Sequence, residues 1–106
     1  MSLTRKRPDV IPFTLTVTGQ GERISFDLTY HNRRQSEIDE LNASYDGRED
    51  AKPMIESVLF VVKQWDSEYE LTQAGLEELE GDMPGILFAI FQGFYEARTV
   101  TKTKNS

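Results

Sequence analysis

The side chains that carry most enzyme chemistry are scarce in this sequence. His31 is the single histidine and the chain has no cysteine, so a thiolate nucleophile, a disulfide and a zinc–thiolate site are excluded for it. A general base needs an orienting partner and a substrate cleft, whereas His31 follows a predicted strand end beside Arg33 and Arg34. No serine lies in the Gly-x-Ser-x-Gly elbow of a nucleophile. We therefore expect no catalytic residue and no enzymatic activity.

Two segments resemble ligand-binding loops but fail at a specific position. Gly19 and Gly21 match the start of a phosphate-binding Gly-x-Gly-x-x-Gly loop, but Ile24 stands where the third glycine belongs. A second segment resembles the front of a calcium-binding loop, with Asn42, Ser44, Asp46 and Gly47. When Gly47 is aligned with the invariant glycine of that loop, Pro53 occupies the position of the bidentate glutamate. We therefore expect neither a metal ion nor a cofactor.

The charge of the chain is negative and unevenly distributed. The net charge is −6, and residues 37–82 alone carry 14 acidic and three basic side chains, a balance of −11. A nucleic-acid-binding domain should present a basic surface, which argues against nucleic acid as a partner. The longest apolar runs are far shorter than the ~20 residues of a membrane span, so no membrane is expected, and the lack of cysteine fits a reducing cytoplasm.

Two alternating segments predict a β-hairpin over residues 13–30. Apolar residues alternate with threonines over residues 13–18, and after a Gly-rich link they alternate with polar residues over 24–30. Residues 1–12 are expected to form a flexible basic arm, because Pro8 and Pro12 disfavour regular strand pairing.

About four helices are predicted within residues 33–98. The first helix starts at a cap at Ser36 and stops at Gly47, and the second starts at a cap at Asp50, has Pro53 in its first turn and continues to Trp65. The third runs from a cap at Thr72 to Gly81, and the fourth starts with Asp82 and Pro84 and ends at Arg98. A strand is an alternative for residues 58–62, where β-branched side chains dominate, but the helix is preferred because the apolar residues up to Trp65 keep helical spacing.

The predicted fold class is α+β and mostly helical, with an N-terminal two-stranded hairpin followed by the helices. A single globular domain is expected over residues 13–98, between the arm and a polar, Lys/Thr-rich tail at residues 99–106.

The helices contain more apolar surface than a small domain needs. Residues 58–62 and 86–91 are unbroken apolar runs, whereas a surface helix ordinarily shows one apolar stripe. Aromatic side chains commonly anchor interfaces. We therefore predict a partner-binding surface formed by Val58, Leu59, Val62, Trp65, Leu87, Phe88, Phe91 and Tyr95. The alternative in which all of them are core residues stays open.

The helical half also carries a recognisable series of motifs. It consists of residues 58–65 ending at Trp65, the Leu71-Thr72 pair, Leu76 and Leu79, the Met83-Pro84-Gly85 triplet, and residues 86–95 ending at Tyr95. In its size, a Trp that ends a helix, a Leu-Thr cap, a Pro before the last helix and a Lys/Thr-rich end with Asn105, the chain resembles the tail assembly chaperones of long-tailed, siphovirus-like bacteriophages. The resemblance covers roughly residues 54–105 and leaves the hairpin unassigned.

The resemblance implies a chaperone in the host cytoplasm that needs no catalytic residue. Such proteins bind the tape measure protein, a long apolar helical rod, and keep it soluble until tail tube subunits polymerise around it. The tail tube protein is a further candidate partner, and the chaperone would leave before the virion matures. A ring-forming, homo-oligomeric tail or neck component is the alternative, in which the exposed edge of the hairpin pairs across subunits.

Overall fold

The fold combines a three-stranded antiparallel sheet with four helices. The computed structural model describes residues 1–103, so the end of the predicted tail, with Asn105, lies outside the described residues. The elements are β1 (Val10–Gly19), β2 (Glu22–His31), α1 (Gln35–Ala43), α2 (Pro53–Val61), β3 (Val62–Trp65), α3 (Gln73–Asp82) and α4 (Ile86–Arg98). The α+β class and the four helices are as predicted, but "mostly helical" is an overstatement, because about 40% of the chain is helix.

The predicted hairpin is confirmed. Strands β1 and β2 pair over their whole length, with Leu15 opposite Phe26. Gln20 and Gly21 connect them with φ angles of 53° and 80°. Two successive positive φ angles are the signature of a type I′ turn, whose twist matches that of the strands. One face of the hairpin carries the apolar side chains and packs on the helices, while the threonine face is exposed.

The first strand starts earlier than predicted, at Val10 instead of Phe13, and Pro12 is paired with Thr29. Residues that flank a two-residue turn form a hydrogen-bonded pair, and such pairs alternate along an antiparallel ladder. Counting back from Gly19, Pro12 falls at a position whose backbone nitrogen points away from β2. The missing N–H of proline therefore costs no hydrogen bond within the sheet.

The third strand replaces the last predicted turn of a helix. We expected helix to continue to Trp65, but α2 ends at Val61 and the backbone of Val62 is extended, with φ −92° and ψ 122°. Strand β3 pairs antiparallel with β2, so that β2 is the central strand of the sheet. Val58 and Val61 keep the predicted helical conformation, and only Val62 of this β-branched run enters the strand. Val62 pairs with Tyr30, which lies more than 30 positions away in sequence, and that distant pairing ends the helix.

The helix starts follow the predicted capping chemistry only in part. The Thr72 hydroxyl accepts a hydrogen bond from the Gly75 N–H at 3.1 Å, and Pro53 occupies the first turn of α2, both as predicted. The predicted caps at Ser36 and Asp50 are wrong, because Arg34 and Lys52 hold those positions. In α1 the Glu37 carboxylate instead accepts from the Arg34 N–H.

The core is centred on Tyr30, in the middle strand. Its hydroxyl donates to the Ile90 carbonyl oxygen at 2.7 Å, and its ring packs edge-on against Phe94, with 5.8 Å between centroids. Burial, and to a lesser extent Glu96, raises the pKa of Tyr30 well above its usual range, so this hydroxyl remains a donor. Helix α4 approaches so closely that a Cβ at Gly93 would lie 2.6 Å from the Tyr30 hydroxyl and 2.9 Å from Leu15 Cδ1.

We predict that Gly93→Ala destabilises the fold, although alanine is the better helix former. The new methyl group would displace Tyr30 and Leu15, which costs about 1–3 kcal/mol in a packed core. Gly81→Ala is the matched control, because nothing lies within 4 Å of a Cβ at this helical position, and it should gain up to about 1 kcal/mol. Free energies of unfolding from urea titrations distinguish the two. Equal effects of both substitutions would contradict the close packing at Gly93.

Candidate partner-binding surface

Helices α2 and α4 begin side by side and leave an apolar groove between their first turns. The groove has a volume of about 490 Å³, and its apolar lining includes Met54 and Ile55 of α2 and Leu87 and Phe88 of α4. The Phe88 side chain is 55% exposed, an unusual degree for a phenylalanine in a helix that is otherwise packed on a core. The groove and this ring together form an exposed apolar patch of the kind that binds other molecules.

An aromatic stripe, defined here as Phe88, Phe91 and Tyr95, continues from the groove along α4. Its members lie at i, i+3 and i+7, on the same side of the helix. Phe91 and Tyr95 meet edge to face at 5.3 Å between centroids, and Phe91 also stacks on the buried Phe94 at 6.0 Å. Phe91 and Tyr95 are half-buried and pack against the core, so two of the three rings of the stripe are held in place by it.

Three charged residues, Lys52, Glu77 and Glu80, also line the groove. Lys52 on its rim forms an ion pair with Glu77, and this bond lowers the pKa of that carboxyl below its usual value. The Glu56 carboxylate accepts from the backbone N–H of Lys52 and from Arg48, which lowers its pKa as well. An apolar centre with a polar rim is the usual anatomy of a protein–protein interface.

The Glu80 carboxylate links the end of α3 to the start of α4. Its oxygens accept hydrogen bonds from the backbone N–H groups of Gly85 at 2.8 Å and Leu87 at 3.2 Å. A carboxylate at this position satisfies N–H groups that have no partner within the helix and interacts favourably with the helix dipole. Glu80 therefore positions the first turn of α4, which carries Phe88 into the groove.

The predicted surface residues fall into separate groups in the folded chain. Val58, Val62 and Leu87 are at most 2% exposed, so they belong to the core, although Leu87 also lines the α2–α4 groove. Trp65 lies in β3 and lines a different groove. The structure places the remaining residues on the outer side of the helical layer, with Phe88 exposed and Leu59, Phe91 and Tyr95 half-buried. Their role in binding a partner stays a prediction.

Met54, Ile55 and Glu80 were not predicted as site residues. Ile55 and Leu59 are four residues apart on α2, as neighbours on one helix face are, and this spacing is the signal that identifies the α2 side of the groove. No comparable signal marks Glu80, since an acidic residue near a helix end is usually solvated.

The other concave surfaces are less suited to an apolar partner or lie apart from the stripe. One of them, with a volume of about 730 Å³, is a shallow depression on the exposed sheet face, where Thr14, Asp27 and Gln64 contribute polar side chains. Two smaller grooves near the hairpin turn share Val17, Ile24, Met83 and Ile86.

The single histidine, His31, lies outside these grooves. Burial and the neighbouring charges of Arg33 and Lys63 lower the pKa of His31.

Two further properties of residues 1–103 bear on function. They contain no group of three or more His, Asp or Glu side chains placed to hold a metal ion. In the same part of the chain, no helix combines the length and the apolar character needed to cross a membrane.

Comparison with known proteins finds a matching family. A family model described as phage tail assembly chaperone matches residues 6–105. The match includes the hairpin, which the resemblance of the helical half had left unassigned. No curated protein and no solved structure matches the chain.

We predict that Glu80→Ala destabilises the protein by about 1 kcal/mol, the usual cost of removing a helix cap. Glu78→Ala is the matched control, because Glu78 lies in the same helix and its side chain makes no hydrogen bond or ion pair within the described residues. The control should change stability by less than about 0.5 kcal/mol. Thermal unfolding followed by circular dichroism measures both variants. If Glu80→Ala unfolds at the wild-type temperature, the carboxylate does not stabilise the start of α4.

Proposed function

The chain belongs to the phage tail assembly chaperones, and from this premise we propose that it binds the tape measure protein and keeps it soluble until the tail tube forms. The observation that carries the proposal is the exposed Phe88 beside the α2–α4 groove. A long helical rod with apolar stripes is a client whose chemistry fits this surface. An amphipathic helix can lay its apolar side chains into a groove of this shape, with anchors spaced by three or four residues.

The proposed binding of each copy to the client is weak. Covering the exposed part of one phenylalanine contributes on the order of 1 kcal/mol, and the groove is small compared with standard protein interfaces. Many copies along a long client would cover its apolar stripes together, while each remains easy to displace. Polymerising tail tube subunits would then release the chaperones, which act in the host cytoplasm and are absent from the completed tail.

The acidic part of the chain supports solubility in this proposal. Residues 37–82, with a balance of −11, include α1 and α3, which together carry seven of the 14 carboxylates. A client covered by such copies would bear a high negative charge, and mutual repulsion would oppose its aggregation. The proposed activity is binding alone, so it requires no catalytic residue and no cofactor.

We predict that Phe88→Asp abolishes most of the benefit that the client gains from the chaperone. The substitution introduces a charge at the centre of the apolar patch and should weaken binding at least about tenfold, as for an interface anchor. The measurement is the soluble yield of the tape measure protein when both proteins are co-expressed. Because Phe88 is exposed, the variant should unfold at close to the wild-type temperature.

Val100→Asp is the control for this experiment. Val100 is 94% exposed, lies just beyond α4 and outside the groove, and receives the same change from an apolar side chain to a charged one. It should leave the client's soluble yield at the wild-type level. The proposal fails if both variants protect the client as well as the wild type does, or if Val100→Asp impairs protection as strongly as Phe88→Asp.

A further inference from the structure

Strand β1 is an unpaired edge of the sheet. It pairs with β2 on one side only, and β3 lies on the far side of β2. Its outer edge therefore offers a ten-residue row of backbone groups to another strand. Natural proteins usually protect such edges with charged side chains, bulges or prolines, because an open edge recruits other chains.

The edge has a defined set of free hydrogen-bonding groups. The pair Gly19–Glu22 closes the two-residue turn, so odd-numbered residues of β1 bond to β2 and even-numbered residues point outward. Thr14, Thr16 and Thr18 therefore each direct an N–H and a carbonyl oxygen away from the sheet. Pro12, which is next in this series, has no N–H, and its ring blocks approach at that point.

The edge also differs from the rest of the molecule in charge. No residue of Val10–Gly19 is ionisable, whereas the chain as a whole has a net charge of −6. Two copies repel each other over most of their surfaces, and the repulsion is smallest where this neutral strand of one copy faces the same strand of another. The charge distribution thus favours a second copy at this edge over an acidic partner.

We propose that β1 pairs antiparallel with β1 of a second copy, around a two-fold axis at Thr16. In this register Thr14 faces Thr18 of the second copy, and the three outward threonines supply about six backbone hydrogen bonds. A shift toward the N-terminus would press the Pro12 ring against a strand carbonyl, and a shift toward the turn would lose pairs. The result is a continuous six-stranded sheet with adjoining threonine side chains, a favourable cross-strand pairing.

The proposed dimer leaves the aromatic stripe accessible. Ala89 of α4 lines the groove next to Val17 and Thr18 of β1, whereas Phe88 lines the groove next to α2. Because consecutive helix residues do not face each other, the two surfaces involve different faces of α4. This dimer does not depend on the proposed client, so the purified chain alone tests it.

The test is the mass of the full chain in solution, measured by light scattering at about 100 µM, which is above the micromolar dissociation constants expected of a small interface. The wild type should have twice the mass of the chain. Thr16→Lys should be monomeric, since it places like charges directly opposite each other at the axis. Thr16→Pro should be monomeric as well, because it removes an outward N–H and adds a ring there, as Pro12 already does in the folded strand.

Ser25→Lys is the matched control. Ser25 is paired with Thr16 and shares a side-chain hydrogen bond with it at 2.8 Å, but it lies on the central strand. Both lysine substitutions remove that bond and add a charge to the same sheet face, yet only Thr16→Lys acts at the edge, so Ser25→Lys should remain dimeric. Circular dichroism shows which variants are folded. If Thr16→Pro does not fold, the result for Thr16→Lys alone tests the proposal.

Four results would overturn the proposal. The first two concern the wild type, which would be either monomeric or heavier than a dimer. The third is a dimer that persists in folded Thr16→Lys or Thr16→Pro, and the fourth is loss of the dimer in Ser25→Lys to the same extent as in Thr16→Lys. A monomeric wild type would leave the edge to an extended segment of another protein. For Thr16→Lys we expect a rise of about a thousandfold in the dimer dissociation constant, into the millimolar range, which makes the chain mostly monomeric at about 100 µM. For Ser25→Lys we expect no such rise.

Discussion

The hydrogen bond from the Tyr30 hydroxyl to the Ile90 carbonyl oxygen joins the central strand to the last helix. It satisfies a polar group in a core that contains few others, where an unpaired hydroxyl would cost about 1–3 kcal/mol. It also requires α4 to lie close to the sheet, and only glycine at position 93 leaves room for the Tyr30 ring. The rotation of α4 about its own axis follows from this contact, because Ile90 and Phe94 must then face inward.

That rotation decides which apolar side chains remain outside. With Ile90 and Phe94 directed to the sheet, Leu87 completes the core, and the residues on the flank toward α2 are left at the surface. Glu80 holds the first turn of α4 at its other end by capping two of its N–H groups. The exposure of Phe88 thus follows from the orientation in which α4 packs on the sheet. The proposed chaperone function depends on this exposure.

Elements with a local signal were predicted from the sequence, and elements that depend on distant partners were not. The hairpin is encoded by alternating apolar residues and by a turn of two residues with positive φ. The cap at Thr72 is encoded locally as well, because its hydroxyl accepts from the N–H of Gly75, only three residues later. Strand β3 and the early start of β1 at Val10 depend on pairing with β2. The site was predicted in part for the same reason: spacing grouped Phe88, Phe91 and Tyr95, but it could not separate them from the core.

The sequence by itself determined that this chain is acidic, lacks cysteine and carries apolar helices beyond an ordinary surface stripe. Those properties are sums over side chains and do not depend on how the helices are arranged. Only the tertiary structure decided that Val58, Val62 and Leu87 are buried while Phe88 is exposed. A run of consecutive apolar residues covers every side of a helix, so which side meets water is set by the sheet and by the neighbouring helix, through contacts that no local pattern records.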